Sequence, residues 1–110
     1  MRLRQRRRLL MKFDFFKSWL ENQGTLGKRP IGDCLSRNKR IERDLKINLD
    51  FEYERDRGAK LIDLLTYTIE DKNKNVPSPI PIDGDLITGL ASLKAAAKKY
   101  FDFCNSIDWN

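Results

Sequence analysis

Asp83 and Asp85 are the closest this sequence comes to the paired carboxylates of acid/base catalysis. Such chemistry needs acidic groups that converge in a cleft. Both residues instead stand just ahead of a long apolar-periodic stretch, where a short carboxylate accepts hydrogen bonds from the first free amides of a helix. The chain has no histidine, which removes the imidazole base and every histidine metal ligand. Its two cysteines, Cys34 and Cys104, are too few for a structural zinc site. Both fall at apolar helical positions and are expected to be buried thiols. Gly24 and Gly27 lack the Gly-Lys-Ser/Thr continuation of a phosphate loop, and Asp83-Gly84 lacks the other ligands of a calcium loop. The expectation is a chain that is not an enzyme and that holds no metal and no cofactor.

What remains is the chemistry of charge. Arg37, Lys39, Arg40 and Arg43 crowd one short segment. At about 100° per residue, Lys39, Arg40 and Arg43 point away from the apolar positions Ile31, Cys34, Leu35, Ile41 and Leu45. Lys94 and Lys98, four residues apart, form a second candidate pair beside a later apolar stripe. Guanidinium and ammonium groups arrayed in this way contact phosphates, although Asp33, Glu42 and Asp44 dilute the field of the first cluster. The formal net charge of +6 overstates the effect. Five of the 22 basic residues are Arg2, Arg4, Arg6, Arg7 and Arg8, and without them 17 basic residues face 16 acidic ones. Residues 1–10 are expected to be a basic, disordered tail, and residues 11–110 a single helical domain.

The elements that must hold these side chains are all helical in pattern. A first helix is expected from Lys12 to about Asn22, with Phe13, Phe16 and Leu20 as its stripe, widened by Phe15 and Trp19 and stopped by Gly24 and Gly27. A second should begin near Pro30, a residue favoured in a first helical turn. Ile47, Leu49 and Phe51 alternate with polar residues and read as an extended link. Asp50 then caps a short helix holding Tyr53. A further helix is expected from Asp56 or Arg57 to Thr68, buried along Leu61, Leu64, Leu65 and Ile69. Pro77, Pro79 and Pro81 forbid regular helix, so 71–81 reads as a surface loop. The last helix carries the longest stripe: Leu86, Leu90, Leu93, Ala97, Tyr100, Phe101 and Cys104. Its tail is expected to fray, with Trp109 folding back onto the body. The fold class that follows is all-α, a compact bundle of four to five helices with a proline-rich loop before the last. No stretch approaches the ~20 apolar residues of a membrane span. The apolar run after the arginines breaks at Lys12 and Asp14, too early for a signal peptide. A cytoplasmic location is expected.

The segment GLASLKAAAKKYFDFC, with Leu90, Leu93, Lys94, Ala97, Tyr100, Phe101 and Phe103, resembles the final helix of the core-binding domain of tyrosine recombinases of the phage-integrase type. GDCLSRNKRIERDL, from Gly32 to Leu45, resembles a helix of small modules that precede nuclease domains in bacterial restriction endonucleases. The resemblance covers about a third of the chain. It implies a helical module that clamps or positions DNA, with phosphate contacts from Arg37, Lys39, Arg40 and Arg43 and second candidates at Lys94 and Lys98. The recombinase Arg/His/Tyr set and the nuclease metal site have no counterpart here, so any DNA role would be binding only. The competing expectation is a small protein-interaction module of phage or defence-system type, taking a protein partner or a second copy of itself. Its nearly neutral body and aromatic content suit such an interface.

Overall fold

The described residues form six helices: α1 (Arg2–Gln23), α2 (Lys28–Leu45), α3 (Leu49–Asp56), α4 (Ala59–Leu65), α5 (Ile69–Asn73) and α6 (Leu86–Ser106). The computed structural model describes residues 2–107, with side chains from residue 12 onward. No strand occurs among the described residues, and the all-α class follows from the sequence as expected. Helix α1 begins at Arg2, within the segment expected to be a disordered tail. The side chains of that segment lie outside the described residues, as does Trp109 with its expected fold-back.

The chain divides into two compact units, Met1–Ser36 and Arg37–Asn110, so the 11–110 stretch read as one domain contains a division within α2. In the first unit, Phe16, Leu20, Ile31 and Cys34 are buried, and the Phe16 and Trp19 rings stack at 6.3 Å. Gly24, with a φ of +69°, turns the chain after α1 in a conformation that costs glycine little.

The second unit is built on α6, against which α3, α4 and α5 pack. Its stripe is buried at Leu90, Leu93, Ala97, Tyr100, Phe101 and Cys104, with Leu86 half-buried. Asp85 is the cap: its side chain accepts from the Thr88 amide at 2.9 Å. Asn48, rather than Asp50, caps α3, accepting from the amides of Asp50 and Phe51. Asp50 is buried, and its Oδ1 accepts from the Tyr100 hydroxyl at 2.6 Å. An acidic side chain is rarely buried unless it is bonded, and here the bond ties α3 to α6.

The region from Asp56 to Pro81 differs from the expectation. One helix from Asp56 or Arg57 to Thr68 gives way to two short ones. Arg57 and Gly58 both have positive φ, 60° and 82°, which ends α3 and turns the chain into α4. Gly58 also lies against Phe101, where an added Cβ would come within 2.3 Å of the ring. A second turn follows Leu65. Thr68 then opens α5 with a reciprocal capping box to Asp71, the element that raises the helix number to six. Leu64 and Ile69, expected in the buried stripe, are 48% and 68% exposed, because the stripe assumed one unbroken helix. The proline segment after α5 is anchored by Ile80, which is fully buried.

Candidate nucleic-acid interface

The rotation of α2 within the second unit is fixed by two buried residues. Ile41 is fully buried, and Asn38, also buried, donates from Nδ2 to the Ala96 carbonyl of α6 at 3.0 Å. With that side turned inward, helical geometry sends Lys39, Arg40 and Arg43 to the outer face and places Arg37 on its flank. Arg37, Lys39 and Arg43 are exposed and Arg40 is half-buried.

Asp44 organises this face. Its Oδ2 lies 3.4 Å from Arg40 Nε and its Oδ1 lies 3.0 Å from Arg43 Nε. The hydrogen bond from Arg43 leads in holding the Asp44 carboxyl below the usual aspartate range; desolvation opposes it, and Arg40 adds to the lowering. Arg40 also donates through Nη2 to the Pro81 carbonyl, which joins α2 to the proline segment. The Arg43 side chain is 72% exposed. Engaged through Nε, it stays largely in solvent, and a guanidinium fork suits a phosphate. Glu42 is drawn elsewhere, its Oε2 accepting from the Leu49 amide at 2.9 Å at the start of α3. The face thus keeps more positive than negative charge although Asp33, Glu42 and Asp44 share the helix.

Lys94 and Lys98 do not join it. They stand about 160° around α6 from Ala96, on the flank away from the Asn38 contact, with Lys94 half-buried and Lys98 exposed. The six cations form two patches rather than one groove. The residues that sequence reasoning missed are Asp44 as organiser and the Pro81 carbonyl as a partner of Arg40. The first had a readable signal, since Arg40 and Asp44 stand at the i, i+4 spacing of helical ion pairs. The second had none, because 41 residues separate its partners. A structural role competes with the functional one, because Arg43 in the last turn of α2 also suits the negative end of the helix.

Among the described residues, no three Cys, Asp or Glu side chains gather closely enough to hold a metal ion. No described helix is long and apolar enough to cross a membrane. No protein-family model matches the chain, and no curated protein or solved structure does either.

Proposed function

We propose that this chain is a non-catalytic, DNA-associated helical module of the cytoplasm that contacts phosphates through the outer face of α2. Arg37, Lys39 and Arg43 bind, and Arg40 acts mainly to brace the face. The observation that carries this reading is the Asp44 carboxylate bonded to the Nε atoms of both Arg40 and Arg43. It orients an exposed guanidinium fork without burying it, so less side-chain freedom is lost on meeting a phosphate. Lys94 and Lys98 form a separate, weaker patch. The resemblance of the second and last helices to DNA-positioning modules of bacteria and phages supports the same reading.

Fluorescence anisotropy of the full chain with a labelled duplex, over a series of salt concentrations, tests it. Affinity should fall steeply with salt, and Arg43→Ala should reduce the slope of log K against log salt by about 1. Replacing the five N-terminal arginines by serine separates their contribution. Absence of binding at low salt, or binding that disappears only with those arginines, would contradict the proposal.

A protein-interaction module is the second reading, favoured by large apolar side chains left in solvent. Phe51 is 71% exposed and Ile69 68%. Large apolar side chains held in solvent are available to a partner's surface.

A further inference from the structure

A groove of ≈ 390 Å³ opens beside α3 and α4. Its apolar floor is Leu45, Ile47, Leu61 and Leu64, and its rim is Glu52 and Arg55 from α3 with Lys60 and Asp63 from α4. A space of ~150 Å³ suffices for a benzene ring, so this groove has room for an aromatic side chain. Phe51 stands one helical turn before the rim residue Arg55 on the same side of α3 and is 71% exposed.

We propose that a second copy of this chain occupies this groove about a two-fold axis, each copy placing its Phe51 ring into the groove of the other. Two features select a second copy over an unrelated partner. The chain itself carries both an exposed aromatic ring, one helical turn from a rim residue, and an apolar groove with room for such a ring, the two halves that an isologous interface needs. The rim charges are also self-complementary. Glu52 and Arg55 already pair within α3 at 2.5 Å. Lys60 and Asp63 are adjacent on the face of α4 that carries Leu64, and neither has an ion pair among the described residues. Packing α4 antiparallel against its copy brings Lys60 of each chain to Asp63 of the other, with the half-exposed Leu64 side chains between. A strongly acidic or basic partner would leave one of these charges opposed by its like.

Sedimentation velocity of the full chain from roughly 1 to 300 µM reads the association directly. The expected result is a reversible dimer that Phe51→Glu weakens by at least about tenfold, since a buried apolar ring is replaced by a charge. Both Phe51 and Leu64 are exposed, so circular dichroism should show the helices intact in Phe51→Glu and Leu64→Glu. Charge exchange provides a second measurement: Lys60→Glu and Asp63→Lys should each weaken the dimer, and the double exchange should restore it. A monomer across the whole range, a dimer indifferent to Phe51→Glu, or a double exchange as weak as either single change would overturn the proposal. Capture of a different protein by a monomeric chain would overturn it equally.

Discussion

Three residues bear more on this fold and its charged face than their types announce. Gly58 combines a φ of +82° with a Cβ position 2.3 Å from the Phe101 ring. Gly58→Ala therefore meets backbone strain and a clash with a buried side chain together. A loss of roughly 2–4 kcal/mol in urea unfolding is expected; a change near zero would mean that α3 and α4 can rearrange their turn. Asp85 and Asp44 act through ionisation. Hydrogen bonding from Thr88 leads in lowering the Asp85 carboxyl, with Lys72 adding to it, and Arg43 leads at Asp44. Both folded values lie below the ordinary aspartate value of 3.8. Their stabilisation is therefore complete above that value and is lost as pH falls through the lower folded one. Urea midpoints should drop as pH is taken below about 4. Asp85→Asn keeps a cap acceptor but cannot titrate, so its decline should be shallower. Equal slopes for the two proteins would exclude Asp85 as a contributor.

At the scale of elements, α6 is the spine of the second unit, and Leu90 is fully buried on it. Leu90→Ala should cost about 2–5 kcal/mol. Leu64→Ala, on the exposed side of α4, should stay within about 1 kcal/mol at low protein concentration. Urea unfolding checks both, and comparable losses would contradict the burial pattern. The same contrast shows what the sequence makes legible. An unbroken 21-residue helix with a cap and a continuous stripe declares its buried face, and α6 is readable from Asp85 onward. Short helices do not. The Leu61, Leu64, Leu65 and Ile69 spacing fits one helix, yet consecutive left-handed residues at Arg57 and Gly58 and a turn after Leu65 divide the region. Only Gly58 marks any of this locally. Asn48 takes the capping role expected of Asp50, while Asp50 meets Tyr100, a residue 50 positions away that no local pattern reveals. The cations of α2 were legible as a face. Their bracing by Pro81 was not, since it depends on how the proline segment returns to α2.

For the whole molecule, the net charge of +6 is a poor guide to where a polyanion would bind, since five arginines lie in the first eight residues. Long-range attraction belongs to the total charge; orientation requires groups held in place, and those are on α2. The Asp44-braced face and the groove beside α4 are separate features of the second unit, so a dimer built on the groove would carry two phosphate-contacting faces. Backbone amide chemical-shift mapping of the full chain, titrated with a short duplex, tests the phosphate-contacting role of α2 most directly. Shifts concentrated on residues 37–44, and lost at high salt, are the predicted result. Shifts confined to the first ten residues, or absent at low salt, would contradict it.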